Sequence, residues 1–555
     1  MSSPGTMRSF YTISNFTDKI LHNIRIDNRE NLKKINITPI LTIFSTAKSL
    51  LKRIFEIVTN KYKATGNHTY YYYLTDLKMT SITALGLNKI GLIVLICLGI
   101  SSSLMAQTLN TKPNVIVIVS DDAGYADFGS YGGKEIPTPN IDLLAKNGTR
   151  FTDAYVTASV CAPSRAGILT GMYQQRFGFE HNISKNMVGN YQPEDAGMDP
   201  KIKTIGDQMQ ANGYKTIAIG KWHQGDYAKH FPTKRGFDEF YGFVGGHRNF
   251  FGYKEGVAPS KLLALYDNEN IIPEKEITYL TDMFTDKAKA FVIENQEKPF
   301  FMYLAYNAVH TPINAKKELM GQFAHIKDPE RRAYAAMMKS LDDGVGELVQ
   351  SLKDNRIYDN TLIIFINDNG AATNNSSDNG KLRGLKGSKW EGGIRVGYIM
   401  QWPGKIPANK TYSKMVSALD ITSTAIAAGK GKAITGQKLD GKNLIPYLKC
   451  SLKGKPHKDL FWRRGIAAAV RSGKWKLIRS GDDNPVLLFD LDKDISETNN
   501  LAAIHPAKVK SLLRKLENWE KTVDQPHWIS DYGDHNQIMK HRMEVIGREM
   551  ELKYP

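Results

Sequence analysis

One short segment of this 555-residue chain places a cysteine four residues before an arginine, in the order Cys161-Ala162-Pro163-Ser164-Arg165. Pro163 suits the first turn of a helix, so Cys161 is expected at the N-terminus of that helix. Free N–H groups at such a terminus attract anions and lower the pKa of a thiol. The segment therefore indicates an anion site with a reactive sulfur. A buried structural cysteine beside a capped helix is the alternative.

The acidic pair Asp121-Asp122 and the pair Asp368-Asn369, in which an amide follows a carboxylate, come after apolar runs and offer oxygen ligands. Such oxygens suit Ca²⁺, or Mg²⁺ as second choice, better than a soft metal. No group of His and Cys has the spacing of a zinc site. Either pair alone could instead form an Asx turn.

The elements that must position these residues are four apolar, β-branched runs, which predict fully buried parallel strands. The runs are Asn114–Ser120, Tyr214–Ile219, Phe300–Tyr306 and Thr361–Ile366. Helices are predicted over Pro139–Asn147, with Thr138 as N-cap, and over Arg331–Leu352. The alternation predicts an α/β fold whose large, mostly parallel or mixed sheet is flanked by helices.

All four predicted strands end in polar residues. The first strand leads into Asp121-Asp122, and the fourth leads into Asp368-Asn369. Lys221 and His223 follow the second strand, and His310 follows the third. In open α/β sheets, ligands bind outside the carboxyl ends of the strands. Two acidic and two basic endings therefore predict one site that holds a cation and an anion together.

Several motifs occur in the order and form of a known family. N-V-I-V-I-V-S-D-D comes first, C-A-P-S-R and A-G-I-L-T-G follow, and then come G-K-W-H, H-T-P and N-D-N-G. A last motif runs from Leu382 to Arg395. In these motifs, which lie within about residues 112–520, the chain resembles the type I sulfatases of the alkaline phosphatase superfamily, and a polysaccharide sulfatase in particular.

The resemblance implies a modified nucleophile and a metal site. It implies that a formylglycine-generating maturation enzyme converts Cys161 to formylglycine (3-oxoalanine). It further implies that this residue binds Ca²⁺ together with Asp121, Asp122, Asp368 and Asn369, and that Asp368 is the base for attack on sulfur.

The remaining catalytic roles are also implied by the resemblance. Arg165 would hold the formylglycine, and Lys221 and Lys386 would contact sulfate oxygens. His310 would protonate the departing alcohol, and His223 would deprotonate the hydroxyl that expels sulfate.

Lys386 and Lys389 compete for one sulfate contact. Lys386 has the family's spacing to Glu391, and Gly384 and Gly387 would let the backbone around it approach an anion closely. Lys389 has no glycine beside it and is predicted to be a flanking or surface lysine.

Charge and context suggest the substrate. The net charge is +18, and residues 107–555 contribute +10 from 61 Lys/Arg and 51 Asp/Glu. A basic body suits a polyanion, although the charge alone favours a solvated basic surface. We expect a sulfated algal polysaccharide such as ulvan or carrageenan, or its oligosaccharides, with glycosaminoglycans as the alternative and no nucleic-acid partner. His181, His247 and Arg248 are candidate substrate-binding residues.

Two other classes remain open. Some relatives with the C-x-P-x-R nucleophile are phosphonate monoester or phosphodiester hydrolases, and a non-catalytic glycan-binding protein could use the same fold. The intact set of metal, nucleophile and proton-transfer residues argues against loss of catalysis.

Residues 1–106 differ from the rest of the chain in their sequence pattern. Small residues follow the apolar run Ile90–Ile100, which predicts a signal peptide over 79–106 and a periplasmic or secreted protein. The run is too short for a stable membrane span. Residues 1–78 are interpreted as a spurious or disordered extension, with a cytoplasmic extension and membrane anchor as the alternative.

The mature chain is predicted to contain two parts. Residues 107–440 form the catalytic domain, and 441–555 form a smaller α+β subdomain and tail. Ala467–Arg479 and Val486–Leu491 predict antiparallel strands, and Pro506–Trp519 predicts an amphipathic helix.

Overall fold

The structure is a computed structural model that describes residues 112–184, 187–189, 191–254, 257, 259–481 and 485–530. Its strands are β1 (Asn114–Ser120), β2 (Thr149–Phe151), β3 (Ala154–Tyr155), β4 (Met187–Gly189), β5 (Lys215–Lys221), β6 (Glu239–Phe243), β7 (Tyr266–Asp267), β8 (Asn270–Ile271), β9 (Phe300–Ala305), β10 (Thr361–Asn367), β11 (Tyr398–Gln401), β12 (Lys410–Tyr412), β13 (Val416–Ser417), β14 (Asp459–Arg464), β15 (Ala467–Ser472), β16 (Trp475–Ser480), β17 (Leu487–Asp490) and β18 (Trp528–Ser530). Its α-helices are α1 (Pro139–Lys146), α2 (Cys161–Thr170), α3 (Ile205–Ala211), α4 (Leu280–Glu294), α5 (Lys317–Met320), α6 (Pro329–Asp354), α7 (Glu391–Ile394), α8 (Asp420–Ala428), α9 (Ile445–Leu448) and α10 (Pro506–Glu520).

The central sheet has ten strands in the order β12-β2-β11-β10-β1-β9-β5-β6-β7-β8. The four predicted strands are the adjacent, parallel strands β10, β1, β9 and β5. The sheet is mixed because β11 runs antiparallel to both β10 and β2. The predicted α/β fold is therefore confirmed.

Alternate residues of β1 face two separate cores. Val115, Val117 and Val119 pack with residues of α2, α3 and α8, whereas Ile116 and Ile118 pack with α1, α4 and α6. Helices thus cover both faces of the sheet, which is why its central strands are continuous apolar runs.

Thr138 occupies the N-cap position of α1, as predicted, but its side chain accepts no hydrogen bond from the helix. Thr138 Oγ1 accepts a hydrogen bond from the N–H of Gly129 at 2.9 Å and none from the helix. Instead, Asp342 of α6 accepts the N–H groups of Asn140 and Ile141 at 3.1 and 2.9 Å. A carboxylate from a packed helix therefore satisfies these donors.

The C-terminal region contains a second sheet, which is antiparallel and has the order β14-β15-β16-β17. The predicted strand segment Ala467–Arg479 is the hairpin of β15 and β16. Helix α10 packs against this sheet through Leu512, Leu516 and Trp519. The predicted α+β character is confirmed, and the boundary near residue 440 stays a prediction.

The predictions for residues 1–78 and 79–106 fall outside the described residues. In the part that is described, no helix combines the length and the apolar character that crossing a membrane requires.

Candidate active site

The carboxyl ends of the central strands meet in one buried cluster. Asp121 and Asp122 follow β1, Asp368 follows β10, and Lys221 ends β5. Each of these residues is at most 1% exposed. The backbone φ of Asp122 is +61°, so the chain turns sharply at the strand end. The convergence of acidic and basic strand endings is as the sequence predicts.

Cys161 begins α2, as its segment predicts, and its sulfur faces the acidic pair. Its Sγ lies 3.7 Å from Asp121 Oδ1 and 3.8 Å from Asp122 Oδ1. Burial alone would raise the pKa of Cys161, but Lys221 and Lys386 outweigh it and lower the pKa to about 7. The residue thus combines a helix N-terminus with a strongly charged surrounding.

Arg165 lies one helical turn after Cys161 and links two strand ends. Its Nε donates to Asp368 Oδ2 at 2.9 Å, and its Nη2 lies 3.4 Å from Asp121 Oδ2. Its Nη1 donates to the main-chain oxygen of Lys221 at 3.1 Å. The fully buried guanidinium therefore fixes the two carboxylates relative to α2.

Two lysines flank the acidic pair. Lys221 Nζ lies 2.6 Å from Asp121 Oδ2, and Lys386 Nζ lies 2.8 Å from Asp122 Oδ1. Burial would raise the pKa of Asp122, but Lys386 and then His310 hold it well below its usual range. The structure therefore brings Lys386 into the cluster.

The prediction that Lys389 is a flanking or surface lysine is wrong in its exposure. Lys389 is 1% exposed, and its Nζ lies 3.4 Å from Ser159 Oγ. Burial and the neighbouring Arg464 lower its pKa to about 7, against the opposing effect of Glu180. The Lys389 side chain is buried, and Asp121 and Asp122 are not among the charged groups that shift its pKa.

The two candidate histidines differ in exposure. His310 Nε2 lies 3.4 Å from Asp122 Oδ2, and 16% of its side chain is exposed. Burial would lower the pKa of His310, but Asp122 and Asp121 raise it. His223 is buried, and burial together with Lys221 holds its pKa well below its usual value. Within the described residues, its Nδ1 has no hydrogen-bond partner.

The carboxylate and amide oxygens of the cluster would suit a hard divalent cation. Potential ligand atoms of Asp121, Asp122, Cys161 and His310 all lie within 4.8 Å of one another. Asn369 Oδ1 is buried without a hydrogen-bond partner among the described residues. An orphaned amide oxygen beside buried carboxylates is what an oxygen-preferring cation would satisfy.

Asp368, a predicted metal ligand, contacts the protein through both of its carboxylate oxygens. Its Oδ1 accepts the N–H of Asp122 at 3.3 Å, while Oδ2 contacts Arg165. Burial and the charge of Asp121 raise its pKa to about 6, although Arg165 opposes this. His310 lies in the potential ligand group although it was not among the predicted metal ligands.

One of the three predicted sugar contacts lies beside the cluster. His247 is exposed, and its ring stacks near that of His310 with centroids 6.4 Å apart. Arg248 is buried, and its Nη2 lies 3.0 Å from Glu274 Oε2. His181 is also fully buried. The structure therefore does not bring Arg248 or His181 together with His247 at an open surface.

Sequence reasoning missed Asn375, which ties two parts of the site together. Its Nδ2 donates to the main-chain oxygens of Asp122 and Val309 at 3.0 and 3.1 Å. Val309 directly precedes His310, so one buried amide holds both backbones. The residue lies in the polar run N-N-S-S-D-N, where nothing distinguishes it from a loop residue.

A second missed feature is a buried ion network behind the Lys386 segment. Glu391 Oε1 and Glu497 Oε1 lie 2.9 and 2.8 Å from Lys476 Nζ. The N–H of Glu391 donates to Glu497 Oε2 at 2.7 Å. All three residues are fully buried. Lys476 and Glu497 come from the C-terminal region, so that region fixes the start of α7, five residues beyond Lys386.

Comparison with known proteins identifies the family. The model of the sulfatase family matches residues 113–431. The chain is 30% identical to arylsulfatase J of Mus musculus over 467 residues, or 74% of this chain and 76% of that protein. It is 31% identical to N-acetylgalactosamine-6-sulfatase of Canis lupus familiaris over 382 residues, or 66% and 71%. The chain belongs to the sulfatase family and is a sulfuric ester hydrolase.

Solved structures show the same architecture. Ps i-CgsB in complex with k-i-k-neocarrahexaose is 38% identical, with a TM-score of 0.71 over 80% of this chain and 100% of that chain. A phosphonate monoester hydrolase of Agrobacterium radiobacter is 18% identical, with a TM-score of 0.53 over 74% and 96%. The second likeness concerns the fold alone. The predicted alkaline-phosphatase-like architecture is confirmed.

Proposed function

We propose that this protein hydrolyses sulfate esters of a carrageenan-type polysaccharide or its oligosaccharides. The observation that carries the reaction is the position of Cys161 Sγ, 3.7 Å from Asp121 Oδ1 at the start of α2. The observation that supports the sugar is similarity to Ps i-CgsB, whose structure contains a neocarrahexaose. Ulvan is a second algal candidate. The relative N-acetylgalactosamine-6-sulfatase favours glycosaminoglycans as the alternative.

The nucleophile in this proposal is formylglycine, formed at Cys161 by a maturation enzyme. As its hydrate, formylglycine supplies one hydroxyl to attack sulfur and a second to expel sulfate. Asp368, held by Arg165 at 2.9 Å, accepts the proton of the attacking hydroxyl. Sulfur then gains one bond to oxygen and loses the bond to the sugar oxygen.

The cluster opposes the negative charge that develops during this exchange. Lys221 contacts Asp121 and Lys386 contacts Asp122, and in this proposal both lysines bind sulfate oxygens. Ca²⁺, held by Asp121, Asp122 and the Asp368-Asn369 pair, would add positive charge at the same place.

In this proposal the two histidines carry out different proton transfers. His310 is partly exposed, so it can reach the oxygen of a bulky sugar outside the cluster and protonate it as it leaves. His223 is buried within the electrostatic reach of Lys221, and it takes the proton of the second hydroxyl. Sulfate release then restores the starting aldehyde.

The modification is tested by peptide mass spectrometry of active protein. Cys161 should show the mass loss of thiol-to-aldehyde conversion, whereas the exposed Cys450 should keep its thiol. Cys161→Ala should abolish sulfate release, and Cys450→Ala should leave it unchanged. Full activity with an unmodified Cys161 would contradict the proposal.

The reaction and the substrate are tested with two sets of compounds. An aryl sulfate should be turned over in preference to an aryl phosphodiester, and the reverse preference would favour the phosphonate monoester or phosphodiester hydrolases. Release of sulfate should then be compared for carrageenan, ulvan and chondroitin sulfate oligosaccharides of equal length. Preference for chondroitin sulfate would refute the carrageenan assignment and leave the sulfatase activity standing.

We further propose that the protein is periplasmic or secreted. The support is the charged start, the apolar run Ile90–Ile100 and the small residues that follow it. A polysaccharide too large to enter a cell is consistent with this location.

A further inference from the structure

Nearly all of the net positive charge of residues 107–555 lies in one segment. Those residues carry a net charge of +10. Residues 401–458, named the basic segment below, contain eleven lysines, no arginine and two aspartates, a net charge of +9. The excess charge is therefore concentrated rather than spread over the surface.

The lysines of the basic segment are available to a ligand. Ten of them are exposed, and Lys410 is half-buried. Asp420 is buried, 2.8 Å from His457 Nε2, and Asp440 lies 2.8 Å from Arg176 Nη2. Among the described residues, neither aspartate forms an ion pair with one of the eleven lysines. The positive charge is thus not neutralised within the segment.

A cavity of about 330 Å³ lies within the basic segment. Lys410, Lys414 and Lys453 line it together with Tyr412 and Tyr447, and no lining residue carries a carboxylate. Lys410 Nζ donates to a main-chain oxygen of α9 at 2.8 Å, so one ammonium group is held in place. Three ammonium groups and two aromatic side chains suit an anionic sugar.

The sheet places this cavity at the same edge as the active site. β12 runs parallel to β10, because β12 and β2 are parallel and β11 is antiparallel to both β2 and β10. Through these pairings, Tyr412 lies at the level of Ile366, two residues before Asp368. Three steps between neighbouring strands, at roughly 4.8 Å each, separate the backbones of Tyr412 and Ile366 by about 14 Å across the sheet.

We propose that the basic segment binds the sulfated polysaccharide beside the active site and holds the chain while Cys161 acts on it. The choice of polymer rests on the proposed function. Sulfate groups repeat along such a polymer, so several can contact lysines at once, and the second contact raises the effective concentration of the chain at the site. A small aryl sulfate has one charge and cannot contact the active site and the basic segment at the same time.

The test compares two double variants of the full-length protein. Lys414→Ser with Lys453→Ser removes two charges from the cavity. Lys298→Ser with Lys327→Ser removes two exposed charges elsewhere and serves as the matched control. Binding of carrageenan and of neutral agarose is measured by calorimetry at low and at physiological salt. Sulfate release from carrageenan and from an aryl sulfate is measured in parallel.

The cavity variant should bind carrageenan about 3- to 10-fold more weakly and show a similar rise in KM for the polymer, because two exposed ion pairs are lost. Its kcat/KM for the aryl sulfate should be unchanged, and salt should reduce the difference. The control variant should bind carrageenan as strongly as the unmodified protein does. Neither variant nor the unmodified protein should bind agarose.

Equal binding by both variants, or the same loss in both, would overturn the inference. So would DNA binding that matches carrageenan binding and depends on the same two lysines, because the segment would then attract any polyanion. If carrageenan binds at the cavity but is not desulfated, the substrate proposal fails while the binding site is supported.

Discussion

Replacing Lys386 by methionine removes one positive charge from the candidate active site with little change in side-chain length. Lys386 Nζ lies 2.8 Å from Asp122 Oδ1, and 18% of the side chain is exposed. Asp122 keeps two other partners, Asn369 Nδ2 at 2.8 Å and His310 Nε2 at 3.4 Å. The carboxylate is therefore not left alone, and we expect the fold to be retained.

The loss should appear mainly in catalysis. A preorganised group that opposes transition-state charge typically contributes about 3–4 kcal/mol, or roughly 10²–10³ in rate. Lys221 and Arg165 remain in place and account for residual activity. We therefore expect kcat for Lys386→Met to fall by about 10²–10³, with a smaller change in KM.

The assay measures kcat and KM on one sulfated oligosaccharide, with thermal unfolding as the folding control. Lys389→Met is the matched variant, because it makes the same change three residues along the chain and outside the acidic pair. It should keep kcat/KM within a few-fold of the unmodified protein. A large loss for Lys389→Met together with near-normal activity for Lys386→Met would refute the assignment and move the anion contact by three residues.

Three further predictions concern stability, metal and processing. Burial and Arg464 lower the pKa of Lys389 from 10.5 to about 7, so between these values only the unfolded chain binds the proton and this lysine's contribution to stability rises with pH. Lys389→Met should therefore raise Tm near pH 7 and flatten its rise toward pH 10; an unchanged pH profile would contradict this. Chelation should abolish activity, and Ca²⁺ should restore it; restoration only by Zn²⁺ would contradict the oxygen-ligand argument. N-terminal sequencing of protein from the native source should start near Gln107, and recovery of residues 1–78 would refute the interpretation of that segment.

The central sheet could be predicted because strands that are buried on both faces are continuous apolar runs in the sequence. The run Asn114–Ser120 matches β1 residue for residue, and the other three predicted strands agree to within two residues. The short strand β2 could not be predicted from its own three residues. Its place between β11 and β12 depends on long-range pairing.

The site could be predicted where one strand end or one helix start determines a position. Asp121, Lys221 and Asp368 converge because parallel strands share one carboxyl edge. Exposure was not predictable in the same way. Lys389 and Arg248 are polar residues in loop-like sequence, yet Glu180 and Glu274, distant in the chain, lie close to them in the folded protein.

The same limitation explains the cap of α1. Thr138 has the residue type and position of an N-cap, and local sequence offers no better candidate. Asp342 lies about 200 residues later and reaches the helix start only because α6 packs beside it. The contact with Asp342 replaces the local side-chain cap that Thr138 was expected to form. A prediction from neighbouring residues alone cannot include a contact so distant in sequence.

The buried network of Glu391, Lys476 and Glu497 also sets an order of events during synthesis. Two partners of Glu391, Lys476 and Glu497, lie 85 and 106 positions later, so they leave the ribosome long after the Lys386 segment. Its other contacts, with Arg395 and Tyr155, involve residues made close to or before that segment. Until they arrive, the carboxylate of Glu391 lacks the ammonium group of Lys476, and its N–H lacks the carboxylate of Glu497 that accepts it. The network behind the Lys386 segment is therefore completed only when residue 497 of the chain is available. Cys161 is 1% exposed in the folded protein, so the modification proposed for it would have to take place before the surrounding structure closes over the thiol.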